Sequence, residues 1–339
     1  MRSTLAGGFA LLLLSLVVGA GSGAYAISAS QLMGVFGALW QGGADPSPEY
    51  LVFVNIRLPR LVLGVAAGAG LGMAGTLMQG LFRNPLADPG LIGISSGAAL
   101  AAGVTIVLGA WLLPALPRTL GSWTLVSMAF AGGFLVTLLI YGLSRSEGST
   151  RMALMLLAGI AINALAGAGL GFLSVMATDE QLRSLQFWLL GSLGGARWSA
   201  VLLVGVVVFI ALCVGLTLAA PLNAIALGEA QATLLGVDVE RVKRRAILVT
   251  AFAVGAVTAT TGIIGFVGLI APHWVRLVAG PDHRVVLPGS ALLGAVLVLA
   301  ADTVARTAMA PTELPLGVLT AFIGVPMFLL MLRHFRGRL

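Results

Sequence analysis

Arginine carries most of the chemistry this sequence can offer. Arg57 and Arg60 stand three apart in R-L-P-R, and Arg306 closes A-D-T-V-A-R four residues after Asp302. A guanidinium is a rigid fork of donors that grips a carboxylate in two places and stays charged at any physiological pH. Beside apolar runs, such arginines read as carboxylate receivers, as interfacial residues snorkelling from helix ends, or, for Arg306, as the i,i+4 partner of Asp302. A second constellation, R-N-P-L-A-D-P-G over 83–90, brackets a tight turn with Pro85 and Pro89. Asp88 is placed there to cap the next helix, with Pro89 at its first position. A third polar stretch, 221–245, joins Glu229 to Asp238, Glu240 and the basic group Arg241, Lys243, Arg244 and Arg245. None of these forms a catalytic constellation. A phosphate-binding loop needs G-x-x-x-x-G-K-[ST], and the only lysine, Lys243, sits in R-V-K-R, so the sequence carries no such loop. The lone Cys213 permits no intrachain disulfide or thiolate cluster, and His273, His283 and His334 are too scattered for a metal site.

The elements that must position these residues are membrane helices. Of 339 residues 59% are hydrophobic and 9% charged, and the mean hydropathy is +1.05; a soluble domain carries about 25% charged residues. The fold class expected is therefore an all-α integral membrane protein, one domain over 1–339. A membrane β-barrel would need short alternating segments, which are absent. The net charge of +7 comes from arginines scattered between apolar runs and gives no reason to expect a nucleic-acid partner; such charges set orientation in lipid. Ten spans are expected at about 5–27, 58–81, 90–111, 121–143, 152–174, 197–219, 242–261, 263–280, 286–306 and 315–334. The first has features of a cleaved secretory signal at Ala24-Tyr25-Ala26, but it is long enough to span and is expected to be retained.

An even number of spans puts both termini on one side. With the termini in the cytoplasm, most basic residues lie inside, and Arg57, Arg60, Arg118, Arg183, Arg197 and Arg306 remain outside. Gly64, Gly68 and Gly72, like Gly167 and Gly171, recur every four residues, the spacing that lets membrane helices approach closely. Between the sixth and seventh spans, Ala226, Ala230, Leu234 and Val237 recur at helical spacing. They predict a short cytoplasmic amphipathic helix over about 226–237, ended near Gly236 and suited to a shallow protein groove. The basic cluster after it is expected to anchor the seventh span at the headgroups.

Taken in order, these motifs resemble the FecCD-type permeases of ABC importers for haem, cobalamin and iron chelates. The resemblance covers essentially the whole chain and includes L-G-E-A-Q-A-T-L-L-G-V (227–237), G-I-I-G-F-V-G-L-I-A-P-H (262–273), G-P-D-H-R-V-V-L-P-G (280–289) and E-L-P-L-G (313–317). It implies a type II importer architecture of about ten helices per protomer in the bacterial inner membrane. The implied partners are a second copy of the chain, two ATPase subunits that hold ATP and Mg²⁺, and a periplasmic substrate-binding protein. The chain itself would bind no cofactor and catalyse nothing. Arg57, Arg60 and Arg306 would receive glutamates from the binding protein, and Asn84 and Leu86 would border a cytoplasmic gate opposite the 148–153 loop. Leu227, Gly228, Glu229, Ala230, Leu234, Leu235 and Gly236 would couple to the ATPase. The path along the dimer axis would involve Met152, Met155, Phe172 and Met176, with Arg183 and Arg197 at the outer mouth. L-F-R-N-P-L-A-D-P-G-L-I-G-I-S-S-G-A looks most like haem permeases, so haem is the expected cargo; the alternatives are a ferric siderophore or cobalamin.

A secondary transporter is the rival from another class. It would need ionisable groups near the membrane midplane. The acids here, Asp88, Glu147, Glu229, Asp238, Glu240 and Asp282, fall in expected loops, and Asp302 falls near a helix end, so no buried acid is expected.

Overall fold

A computed structural model describes residues 2–336 apart from 24, 26, 42–46, 113–114, 116–119, 147 and 311. Arg118, Glu147 and two residues of the cleavage-like pattern thus lie outside the described residues. The fold is helical throughout, with one two-stranded hairpin, β1 (Arg145–Ser146) and β2 (Ser149–Thr150). Its helices are α1 (Arg2–Gly21), α2 (Ala29–Trp40), α3 (Pro48–Val52), α4 (Leu58–Leu81), α5 (Ile94–Leu112), α6 (Trp123–Leu143), α7 (Met152–Met176) and α8 (Asp179–Leu190). They continue with α9 (Trp198–Thr217), α10 (Ala219–Ala226), α11 (Glu229–Leu234), α12 (Val239–Thr261), α13 (Val267–Ala279), α14 (His283–Thr307) and α15 (Leu316–Arg336). Every expected span falls on a helix; among the described residues seven helical stretches are long and apolar enough to cross a membrane, and those at 242–261, 263–280 and 315–334 are not among the seven.

The core is α4 packed between α9, α12, α13 and α14. Its glycines allow this. A Cβ on Gly68 would collide with the Gly294 carbonyl, one on Gly72 with Ser290, and one on Gly75 with Gly268, so backbones touch where side chains would hold them apart. The expectation for Gly68 and Gly72 is met. Gly167 and Gly171 on α7 meet nothing within 4 Å, so the same spacing does not produce the same packing there.

Several boundaries differ from the sequence reading. The first span stops at Gly21 rather than residue 27. The next helix, α2, is opened by a capping box in which Ser28 and Gln31 satisfy each other's backbone N–H groups. The second span begins ten residues early, at Pro48: α3 runs into α4 through a π-helical turn at Phe53–Arg57. Asp88 caps a 3₁₀ turn, Pro89–Ile92, not α5 itself, because Gly93 at φ 82° breaks the chain between them. A second capping box, Thr178 with Gln181, opens α8, an amphipathic element the apolar-run reading passed over. The expected 226–237 helix shrinks to α11, six residues held between Gly228 at φ 128° and Gly236 at φ 80°. Its inward residue is Ala232, while Ala226, Ala230 and Leu234, the face expected to meet a partner's groove, are exposed in this chain, as such a face would be.

Candidate functional site

Polar side chains gather at two places, one at each end of the bundle. The ends are set by α12. Lys243 lies in its first turns, while the Thr261 carbonyl at its last residue accepts Ser192 N–H beside Gly194, which neighbours Glu313 and Arg60. The eighteen steps from residue 243 to residue 261 amount to about 27 Å of helix.

At the first end, the π turn and the start of α4 carry Arg57 and Arg60, and the last turn of α14 carries Arg306. The structure brings the three together, but not as free forks: they are 4%, 6% and 7% exposed. Arg60 Nε donates to Asp302 Oδ1 at 2.9 Å, while its Nη1 and Nη2 grip Glu313 Oε1 and Oε2 at 2.8 and 2.9 Å. Arg306 Nε lies 3.0 Å from Asp302 Oδ2, the i,i+4 pairing that the spacing allowed. The remaining donors go to the end of α1. Arg57 donates to the carbonyls of Ala20, Gly21 and Tyr25, and Arg306 to those of Ser22 and Gly19 at 2.8 and 3.2 Å. A helix leaves its last four carbonyls without intrahelical partners and its C-terminus partially negative, so two guanidiniums there satisfy both demands. This is what ends the first span. Asp302, expected near a helix end, is a buried acid at 1% exposure, held by two guanidiniums. Glu313 is the partly open member, with a side chain 43% exposed. The Arg60 fork holds its carboxyl below the usual carboxylate range, overcoming the opposite effect of burial.

At the other end, Asn84 is exposed, and its Oδ1 accepts the Leu86 N–H at 2.9 Å, closing the turn that Pro85 begins; Leu86 is half-buried. Asn84 and Pro85 border a cavity of about 350 Å³ with Gln79, Arg83, Ala226, Arg276 and His283. The 148–153 loop comprises the second strand of the hairpin and the start of α7, and its Thr150 is held by Glu240 and Lys243. Glu240 accepts the Thr150 N–H at 2.9 Å and the Thr150 hydroxyl at 2.7 Å. Lys243 Nζ donates to the Thr150 carbonyl at 2.8 Å, to Glu229 Oε2 at 2.8 Å and to Glu240 Oε1 at 3.2 Å. Burial alone would raise the Glu240 carboxyl; the bonds from Thr150 and the neighbouring ammonium hold it below the usual range instead. Lys243 is 2% exposed, so it is not the headgroup anchor expected of it. Along 227–236 the leucines point outward, with Leu227 67%, Leu234 87% and Leu235 65% exposed.

The path residues divide. Phe172 and Met176 are exposed on α7, as are Arg183 and Arg197 on the segments that follow. Met155 is fully buried against the core, which takes it out of any open path in this chain, and Met152 is half-buried. Sequence reasoning missed Lys243 and Glu313. Both left a signal: the only lysine among many arginines, three residues after Glu240, and the only acid beyond Asp302.

Residues 10–334 match the FecCD transport family. This chain belongs to that family. It is 45% identical over 322 residues, 95% of its length, to the hemin transport system permease protein HmuU of Yersinia pestis, 93% of which is covered. It is 43% identical over 288 residues, 85% of its length, to the cobalamin import system permease protein BtuC of Halobacterium salinarum, 75% of which is covered. A solved structure titled as an inward-facing conformation of a metal-chelate type ABC transporter aligns with a TM-score of 0.85 at 30% identity. That alignment covers 98% of this chain and all of the other. The family member described here is therefore a multi-span ABC importer permease, which in bacteria belongs to the inner membrane.

Proposed function

We propose that this permease moves haem across the inner membrane, driven by ATP hydrolysis on partner subunits. The observation that carries the reading is the 45% identity to a hemin permease across 95% of the chain. Cobalamin is the second reading, favoured by 43% identity to a cobalamin permease over a shorter stretch.

In this reading the exposed leucines 227, 234 and 235, with Glu229 and Ala230 on the short helix between Gly228 and Gly236, seat in the ATPase. The turn at Asn84 and Leu86 borders the gate. Phe172 and Met176, outward on α7, face a second copy of the chain or the cargo path, with Arg183 and Arg197 at its mouth. The binding protein docks at the arginine end. There a carboxylate reaches Arg60 by displacing Glu313, the one acid of the cluster with an exposed side chain.

The test is uptake into liposomes holding the permease, its ATPase and its binding protein, with haem, a ferric siderophore and cobalamin compared. ATP-dependent haem uptake above the other two supports the reading. Preference for another ligand keeps the importer and discards haem. Haem uptake without ATPase or binding protein contradicts the importer.

A further inference from the structure

We propose that Lys243 is a positioning residue that ties the ATPase-facing segment to the base of α7, so that displacement of the segment is passed to that helix. The proposal rests on the reading that residues 227–236 receive the ATPase.

The geometry suits an ammonium. Three acceptors from three separate pieces of chain converge on Nζ: the Glu229 carboxylate from the first turn of α11, the Glu240 carboxylate from the first turn of α12, and the Thr150 carbonyl from β2. An ammonium has three N–H bonds pointing apart and no acceptor, so it can satisfy all three at once. It is compact and sits on a flexible four-carbon stem, which suits acceptors that converge on one point. Lysine stands here in a chain that otherwise uses arginine for its cations. A buried ammonium that lost these acceptors would carry an uncompensated charge, so the three pieces are held to it.

They differ in freedom. Glu240 is fixed to the hairpin by two bonds from Thr150. Arg151, the next residue, is the N-cap of α7, and its N–H donates to the Ser144 carbonyl and closes the hairpin. Hairpin and α7 therefore share a base. The α11 segment is instead flanked by two glycines at positive φ and exposes most of its surface. Its carboxylate at Glu229 reaches out to Lys243 at 2.8 Å. A push on Leu234 or Leu235 moves Glu229, and Lys243 conveys this to Thr150.

The first measurement uses the permease alone. Glu229→Gln touches only the exposed segment, yet it should speed hydrogen exchange of the Thr150 amide about fivefold. In a Lys243→Met background the same change should add nothing. An unchanged Thr150 amide in Glu229→Gln, or additive effects, overturns the tie. The second uses the full complex in liposomes with haem as the probe and cobalamin beside it. Lys243→Met should assemble with the ATPase and hydrolyse ATP, with uptake per ATP reduced about tenfold. A merely structural role would lower assembly, hydrolysis and uptake together. An unchanged ratio of uptake to hydrolysis overturns the proposal. Wild-type vesicles that take up neither probe with ATP would instead overturn the haem and cobalamin readings, while the exchange experiment still decides the tie.

Discussion

The arginine end and the lysine end solve the same problem, buried charge, in opposite ways. Three guanidiniums meet two carboxylates at the first, leaving a cationic surplus that backbone carbonyls of α1 absorb. One ammonium meets two carboxylates at the second, leaving an anionic surplus that Thr150 absorbs through its N–H and hydroxyl. The arginines sit in helices of the packed core and lock α1, α4 and α14 to one another. The lysine instead joins a core helix to a hairpin and to a six-residue helix between glycines. The same chemical device makes a clamp in one place and a tether in the other, according to what it is attached to.

That contrast can be broken at the clamp first. Asp302→Ala strands two buried guanidiniums, and breaking a buried pair from one side costs about 3–5 kcal/mol. Thermal unfolding in detergent should show the largest loss of any single change, and a variant as stable as wild type would refute the clamp. Gly75→Ala comes next. Its Cβ has no room against the Gly268 carbonyl, and overpacking a close helix contact costs about 1–3 kcal/mol. The same assay reads it, with Gly167→Ala as the open control expected to be neutral.

Glu313→Gln should cost less, on the order of 0.5–1 kcal/mol, because the carboxylate is partly solvated. The pH dependence has a definite sign. A carboxyl held low in the folded state contributes its stability above its unfolded value, about 4.3, and loses it as pH falls through the folded one. Melting temperatures of wild type and Glu313→Gln should therefore differ at pH 7, and the difference should shrink as pH falls below the unfolded value and vanish below the folded one. A difference that persists in acid would contradict the assignment. Leu234→Ala should leave stability within about 0.5 kcal/mol, since the side chain is 87% exposed. It should nonetheless weaken co-purification of the ATPase, and full co-purification would weigh against the coupling role.

Much of the fold was legible because membrane helices announce themselves by apolar length, a local property. The helices that were missed, α2 and α8, are opened by Ser28 and Thr178 capping boxes and are too short and polar for that signal. The start of the second span was missed because a π turn lets a helix continue through polar residues around Asn55 and Arg57. Arg57, Arg60 and Arg306 were legible as a group, and so was the Asp302–Arg306 pair, but their other partners were not. A carbonyl at the end of α1 has no sequence signature, and Asp302 looked peripheral until α14 placed it between two arginines. Lys243 was read by its neighbours as part of a basic run, and only the fold turns it away from them and toward Glu229.

The most direct test of the contrast is hydrogen exchange of the assembled complex, compared without nucleotide and with ATP. The account predicts changed exchange in residues 148–151 and 228–240, with the amides of residues 19–22 and 302–306 unchanged. Changes confined to the arginine end, with the lysine end silent, would contradict it.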